Sequence, residues 1–229
     1  MSVNVAAYRE LVSTLSRDKV TLVAVSKTKP VSAIQELYDL GQRDFGENYV
    51  QELVDKQAQL PADIRWHFIG HLQSNKVRYI APFVSLIHGV DSEKLLLEIN
   101  KQAVKCGRVI PVLLQLHIAS EETKFGFDEI EFDRFLDGFP DLPLSQLRIA
   151  GLMGMASFTS DTAQLKKEFG YLKHQFDRLA AYGQGLPESK RDLLQPTVLS
   201  MGMSSDYTLA IAAGSNLVRI GSLLFGSRQ

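Results

Sequence analysis

Strand-like and helix-like segments alternate along the whole sequence, and this alternation constrains the fold more than any other feature. Eight short apolar runs are predicted to be strands, at residues 20–27, 44–48, 65–70, 84–90, 110–118, 147–156, 197–203 and 217–225. Segments of helical periodicity separate them, and a further one at 2–16 precedes the first strand. Because helical crossovers join parallel strands, the pattern predicts one α/β domain.

Eight is the number of parallel strands that closes a barrel, and a (β/α)8 barrel of about 250 residues is close to the 229 residues available. We therefore predict a TIM-type barrel over residues 1–229 that begins with an N-terminal helix. The sequence stops at Gln229, just after the eighth predicted strand, so we expect the first helix to cover the remaining gap. An open, doubly wound sheet is the alternative.

Composition argues against several classes of partner. The net charge is −1, which gives no general attraction to nucleic acid, and no apolar run approaches the ~20 residues of a membrane span. The N-terminus lacks the basic and then apolar layout of a signal peptide, and the single Cys106 excludes an internal disulfide. We expect a cytoplasmic protein that binds neither nucleic acid nor membrane.

Lys27 ends the first predicted strand, at the mouth of the predicted barrel. Burial opposes the charge of a lysine, and an unprotonated amine attacks carbonyl groups. Together with a phosphate-binding loop, such a lysine predicts a Schiff base with a phosphorylated aldehyde. The alternative is a lysine that rests its stem on apolar surface and keeps its ammonium group in water.

The loops that follow the last two strands have the composition of a phosphate site. Barrels commonly bind phosphate there, and here residues 200–205 read SMGMSS before a helix, while Gly221 and Ser222 lie in the eighth predicted strand. Backbone N–H groups and serine hydroxyls are suitable donors to an anion. The alternative is that Ser204 or Ser205 only caps the helix.

Arg219 lies inside the eighth predicted strand, and its guanidinium is always charged and needs a partner. One interpretation is a buried ion pair, for which Asp44, Glu47 and Asp91 are candidates at strand ends. The other is a donor to a ring nitrogen or acid group of a ligand.

His67 and His71 are four residues apart at a strand end, without a third ligand nearby, so we predict no metal site.

Several motifs together resemble the pyridoxal phosphate homeostasis proteins, single-domain relatives of the alanine racemase barrel in the fold-type III class of pyridoxal 5′-phosphate (PLP) proteins. The matching segments are AVSKTKP at 24–30, FGENYVQE at 45–52, WHFIGHLQSNK at 66–76, GLM at 151–153, LSMGMS at 199–204 and VRIG at 218–221. They occur in the family's order over almost the whole sequence.

The resemblance implies which residues contact the cofactor. Lys27 would carry the aldimine with PLP, Asn48 would lie near the cofactor, and Arg219 would face the pyridine nitrogen. The phosphate would be bound around Ser200, Met201, Ser204, Gly221 and Ser222. His117 stands where many members of the family have Asn, so its role stays open, while Glu122 and Lys124 follow the family's pattern.

Three function classes remain open. An always-charged arginine should leave the pyridine nitrogen unprotonated, which makes the ring a weak electron sink. This favours a non-enzymatic, monomeric protein of vitamin B6 homeostasis that stores, buffers or delivers PLP, with apo PLP-dependent enzymes as candidate partners. The alternatives are a racemase-like PLP enzyme acting on amino acids and a Schiff-base aldolase without PLP.

Overall fold

Eight parallel strands form a closed barrel in sequence order, as predicted. The computed structural model describes residues 3–121 and 125–226. Each strand pairs with its neighbours, and β8 pairs with β1, with Arg219 beside Val23. The strands are β1 Thr21–Val25, β2 Asp44–Glu47, β3 Arg65–Phe68, β4 Leu86–Val90, β5 Ile110–Gln115, β6 Leu147–Met153, β7 Leu194–Ser200 and β8 Leu217–Ile220.

Helices surround the barrel on the outside. They are α1 Val5–Arg17, α2 Val31–Asp39, α3 Val50–Gln57, α4 Val77–Ile80, α5 Glu93–Cys106, α6 Glu129–Gly138, α7 Thr162–Gly185, α8 Glu188–Arg191, α9 Tyr207–Ala212 and α10 Ser222–Phe225, with 3₁₀ turns at Ser74–Lys76 and Phe139–Asp141. The N-terminal helix α1 packs against β1 and α10, and the N–H of Asn4 donates to the carbonyl of Leu224 at 2.8 Å. Within the two described ranges, no helix is both long and apolar enough to cross a bilayer.

Alternation along the strands decides what fills the barrel. Outward side chains such as Phe45, Phe68 and Ile87 are fully buried against the helices and form the main core. The inward side chains include a small apolar cluster of Val23, Leu86, Leu113, Ala150, Met153 and Leu217. The lumen also contains buried polar side chains, which extend toward the carboxyl end of the barrel.

Several strands are shorter than predicted at their carboxyl ends. β1 ends at Val25, so Lys27 lies in a turn, and β8 ends at Ile220 rather than at residue 225. Residues 222–225 form the short helix α10, and Gly221 precedes it. The run from Leu217 to Phe225 is apolar apart from Arg219, Gly221 and Ser222, and periodicity cannot separate a strand from a helical turn in so short a segment.

Candidate functional site

A cavity of about 370 Å³ opens at the carboxyl end of the barrel, where TIM-barrel sites are found. The structure brings six of the predicted residues to its wall: Lys27, Asn48, Ser204, Arg219, Gly221 and Ser222. They come from the segments that follow β1, β2 and β7, and from β8 and the start of α10. One cavity therefore combines an amine, a guanidinium, an amide and hydroxyl groups.

The turn that presents Lys27 is held in a strained conformation. Thr28 has a φ of +64°, in the left-handed region that a β-branched residue rarely adopts. Its N–H donates to Oε1 of Glu52 at 2.6 Å, and the N–H of Lys29 donates to the carbonyl of Ser26 at 3.0 Å. Such strain persists only when surrounding contacts fix it, and it is common at functional sites.

Those contacts come from a buried ionic cluster behind the turn, which we call the Lys56 network. The ammonium of Lys56 donates to the carbonyl of Ser26 at 2.8 Å, to Oε1 of Glu47 at 2.7 Å and to Oε1 of Glu52 at 2.6 Å. Ser26 also donates its hydroxyl to Glu47 at 2.6 Å. Burial raises the pKa of Glu47, and the charge of Lys56 opposes that rise. The network therefore holds the residues on either side of Lys27: Lys56 bonds to Ser26, and Glu52 bonds to Thr28.

The side chain of Asn48 carries a buried hydrogen-bond acceptor at the cavity wall. Its Oδ1 atom is buried and has no hydrogen-bond partner within residues 3–121 and 125–226, although the residue lines the cavity. Buried amide oxygens are normally hydrogen-bonded. The position of Asn48 is fixed by Gly70, where an added Cβ would lie 2.3 Å from the carbonyl oxygen of Asn48. The amide is therefore placed to bind a ligand in the cavity.

The serine corner of the cavity joins the segments after β7 and β8. The N–H of Gly221 donates to Oγ of Ser204 at 3.3 Å, and Ser205 and Ser222 line the same wall. The N-cap of α9 is Asp206, so neither Ser204 nor Ser205 is the cap. The carboxylate of Asp206 instead accepts from the N–H of Met203 at 2.6 Å, which fixes the loop in front of the corner.

Arg219 is 4% exposed, and its guanidinium reaches the cavity wall from the lumen. It donates to the carbonyl and the hydroxyl of Ser200 at 3.0 and 2.5 Å, and to the carbonyl of Gly154 at 3.1 Å. Burial lowers the pKa of Arg219 to about 10, and the negative charge of Asp206 opposes that shift. Arg219 therefore stays protonated at neutral pH.

The predicted ion-pair alternative for Arg219 is wrong, because its three candidate carboxylates have other partners. Asp44 pairs with Arg65 and His67, Glu47 pairs with Lys56, and Asp91 contacts His71 at 3.0 Å. Among the residues that the structure describes, no carboxylate forms a salt bridge with Arg219.

Two predicted site residues do not reach the cavity. Ser200 is fully buried at the end of β7, where its hydroxyl accepts from Arg219, and Met201 is fully buried in the main core. Both were expected beside the phosphate. The strand ends one residue before Met201, so the loop enters the cavity only from Met203 onward. Ser200 contacts the site through Arg219.

Other wall residues had no distinct signal in the sequence. They are apolar side chains that separate the polar groups, namely Val25, Ile69, Met155 and Phe158. Phe158 is 91% exposed at the cavity edge. The ring Nε2 of His117 donates to the carbonyl of Glu121 at 2.8 Å, while Glu122 and Lys124 lie outside the described residues.

Barrel, amine, serine corner and buried arginine together define a class of proteins built on the barrel of alanine racemase. The family model described as "Alanine racemase, N-terminal domain" matches residues 3–229. Similarity to complete racemases is limited to the fold: that of Bartonella henselae superposes with a TM-score of 0.68 at 16% identity, and the match spans 58% of that chain.

Sequence relatives show which family within this class the chain resembles. The pyridoxal phosphate homeostasis protein of Escherichia coli is 39% identical over 218 residues, which is 93% of this chain and 88% of the relative. That of Aquifex aeolicus is 38% identical over 91% of this chain and 87% of its own. PipY of Synechococcus elongatus, solved with PLP bound, has a TM-score of 0.82 at 36% identity, and the match covers 96% of this chain and all of PipY. The chain belongs to the pyridoxal phosphate homeostasis protein family.

Proposed function

We propose that this protein binds PLP reversibly in the cavity and acts in vitamin B6 homeostasis by storing, buffering or delivering it. One observation carries the proposal: Lys27, the serine corner and Arg219 line a single cavity. The names of the relatives and the PLP bound to PipY support the choice of ligand. PLP supplies an aldehyde, a phosphate and a pyridine nitrogen, which require an amine, hydrogen-bond donors and a group facing the ring.

The described residues fit PLP in size and chemistry. A cavity of about 370 Å³ is within the range of small-molecule sites, about 300–1,000 Å³. The buried Oδ1 of Asn48 lacks a partner in the described part of the chain, so the site has an acceptor that is satisfied only by a ligand or water. The apolar side chains of Val25 and Ile69 suit the faces and edges of an aromatic ring.

Lys27 is the amine that we assign to the PLP aldehyde. Both Lys27 and Lys29 line the cavity, but the ammonium of Lys29 donates to the carbonyl of Phe225 at 3.1 Å, at the end of α10. That contact gives Lys29 a structural role in joining the first turn to the last helix. The strained residue Thr28 separates the two lysines.

The serine corner is assigned to the phosphate. Ser204, Ser205 and Ser222 offer hydroxyl donors on one wall, and Gly221 lines the same wall close to Val25. An added Cβ on Gly221 would lie 3.3 Å from the Cβ and the carbonyl oxygen of Val25. Charge-assisted hydrogen bonds to phosphate are stronger than neutral ones, so this corner supplies retention.

Arg219 is assigned to the pyridine side, and it limits the chemistry that the site can perform. A PLP enzyme that stabilises carbanions uses an acidic residue to keep the ring nitrogen protonated. A guanidinium that stays protonated at neutral pH cannot accept a hydrogen bond from a protonated ring nitrogen, and it disfavours a second positive charge beside it. We therefore propose no efficient amino-acid turnover. A monomeric state, a cytoplasmic location and transfer to apo PLP-dependent enzymes belong to the same proposal.

A visible spectrum of the purified protein with added PLP tests the binding step. We expect a yellow absorbance band that borohydride abolishes, with the reduced cofactor found on the peptide that contains Lys27. A PLP-independent aldolase would show no such band. If the adduct were mainly on Lys29, the assignment of the amine would be wrong.

Two further measurements separate the carrier from the racemase-like enzyme. The PLP-loaded protein is incubated with L- and D-amino acids in deuterated water, and chirality and α-proton exchange are followed. Turnover at rates typical of enzymes, roughly 1–10³ per second, would favour the enzyme. The carrier predicts no such turnover and restoration of activity to an apo PLP-dependent enzyme by the loaded protein. Light scattering during gel filtration tests the monomer.

A further inference from the structure

Buried polar side chains connect Arg219 to the opposite end of the barrel. Oγ of Ser200 lies 2.5 Å from Nη1 of Arg219 and 3.1 Å from Nδ1 of His88. Nε2 of His88 lies 2.9 Å from Nδ1 of His67, and Nε2 of His67 lies 3.0 Å from Oδ1 of Asp44. We call these five residues, Asp44, His67, His88, Ser200 and Arg219, the lumenal network.

The strand registers explain why these side chains meet. His67 of β3 pairs with Leu86 of β4, and Leu86 is two residues before His88, so both histidines face the lumen. Ser200 pairs with Leu217, which is two residues before Arg219. Every member of the network is buried, with at most 9% exposure. The network ends at Asp44, which also accepts from Nε of the partly exposed Arg65 at 2.7 Å.

With both rings neutral, the acceptor-only carboxylate of Asp44 sets the direction of every hydrogen bond between the histidines and Ser200. Arg219 can only donate, so Oγ of Ser200 accepts from it, and the Ser200 proton points to Nδ1 of His88. His88 then carries its own proton on Nε2 and donates to Nδ1 of His67. His67 carries its proton on Nε2 and donates to the carboxylate of Asp44, which can only accept. Both histidines are neutral in this arrangement, and each N–H or O–H between the two ends has one acceptor.

The charge environment agrees with that arrangement. Burial holds the pKa of His88 well below its usual value, and the positive charge of Arg219 lowers it further. Burial alone would raise the pKa of Asp44, but the hydrogen bonds from His67 and Arg65 lower it to about 2. A neutral His88 next to a charged Arg219 avoids like-charge repulsion in the lumen.

We propose that His88, His67 and Asp44 are positioning residues for Arg219, which keep Ser200 as an acceptor and thereby fix the guanidinium against the bound cofactor ring. The inference rests on the proposed function, because it assigns the cavity to PLP. His88 acts through Ser200 and does not line the cavity. The network makes the ring side of the site sensitive to a residue at the far end of the barrel, whereas the serine corner has no member in it.

Histidine tautomers in the cofactor-free protein give the first test. Long-range ¹H–¹⁵N correlation spectra distinguish protonated from unprotonated ring nitrogens, and His88→Gln and His67→Gln variants assign the two signals. We expect both histidines to be neutral at about pH 7.5, with the proton on Nε2. A proton on Nδ1 of either ring, or a charged His88, would overturn the proposal. This outcome is independent of PLP binding, so it separates a wrong network from a wrong cofactor.

Binding by variants gives the second test. His88→Phe keeps an aromatic ring and loses both hydrogen bonds. His88→Gln can still accept from Ser200 and donate to His67, and His174→Phe changes an exposed histidine of α7 as a control. For His88→Phe we expect the dissociation constant of PLP to rise about tenfold, as for the loss of one hydrogen bond, and the absorbance maximum of bound PLP to shift.

The probes and the rescue variant exclude a merely structural effect. Inorganic phosphate, measured by its competition with PLP, should bind His88→Phe within about twofold of the unmodified protein, because no residue of the serine corner belongs to the network. His88→Gln should restore most of the PLP affinity and the original absorbance maximum. Equal losses for PLP and phosphate, or unchanged PLP affinity in His88→Phe, would overturn the proposal. If His88→Phe fails to fold, the tautomer spectra of the unmodified protein still decide it.

Discussion

Replacement of Lys56 by methionine should strongly destabilise the protein, by an amount that depends on pH. Lys56 has a side chain only 7% exposed, and it is paired with the fully buried Glu47. Removal of one partner of a buried ion pair typically costs about 3–5 kcal/mol, because the other charge stays buried without compensation. The second carboxylate oxygen of Glu47 already lacks a partner among the described residues, so the variant leaves only Ser26 to hold the charge.

Protonation of Glu47 limits that cost. In the Lys56→Met variant the folded state should bind one more proton than the unfolded chain, because the pKa of Glu47 is raised by burial without the opposing charge. The free energy of unfolding then increases as the pH falls, by about 1.4 kcal/mol per pH unit. Between about pH 8 and about pH 6, up to about 2.7 kcal/mol of the loss should be recovered.

Urea unfolding followed by circular dichroism at both pH values measures the effect. The double variant Lys56→Met with Glu47→Gln should lose this pH dependence, because no buried charge remains. Lys167→Met, at an exposed position of α7, should change stability by less than about 0.5 kcal/mol. A loss below about 1 kcal/mol, or the same loss at both pH values, would refute the description of the Lys56 network as a buried ion pair.

Three other outcomes follow from the site and the lumen. Lys27→Ala should abolish the yellow band of the PLP form whereas Lys29→Ala should retain it, and a retained band in Lys27→Ala would contradict the assignment. Ser204→Ala should weaken PLP binding by about 1–2 kcal/mol, and Gly221→Val by more, because of its contact with the first strand, as isothermal titration can measure. His88 is neutral in the folded protein, whereas the unfolded chain protonates it below about pH 6.5. The free energy of unfolding should therefore decrease as the pH is lowered below that value, by up to about 1.4 kcal/mol per unit, and His88→Phe should lack that part of the slope.

The sequence was sufficient to predict the barrel and six residues of the cavity wall. Alternating periodicity gave eight parallel strands, and Lys27 and Arg219 were identifiable as charged groups at apolar strands. The boundary between β8 and α10 was not predictable, since the segment from Leu217 to Phe225 is mostly apolar and too short for its periodicity to separate a strand from a helical turn. A hydrophobic pattern indicates which residues are buried. It does not indicate where the backbone leaves the sheet and begins a helix, which only the strand register of the barrel shows.

The lumenal network was missed for a different reason. His88 interrupts the apolar run of β4, which shows that something polar is buried there, but its partner Ser200 is 112 residues away along the chain. A hydroxyl next to a glycine-rich loop resembles a ligand donor in sequence. The identity of its partner depends on the neighbour across the lumen, which periodicity along one strand cannot supply.

The lumenal network also bears on how the barrel closes. Its members come from β2, β3, β4, β7 and β8, so its hydrogen bonds need both early and late strands of the chain in place. A partly closed barrel would expose the lumen to water or leave these polar groups buried without partners, and buried polar groups without partners are costly. Intermediates with most but not all strands docked should therefore be sparsely populated. Folding should be slow, because contacts of long sequence separation must form late, and closure of the final strand should coincide with completion of the polar interior.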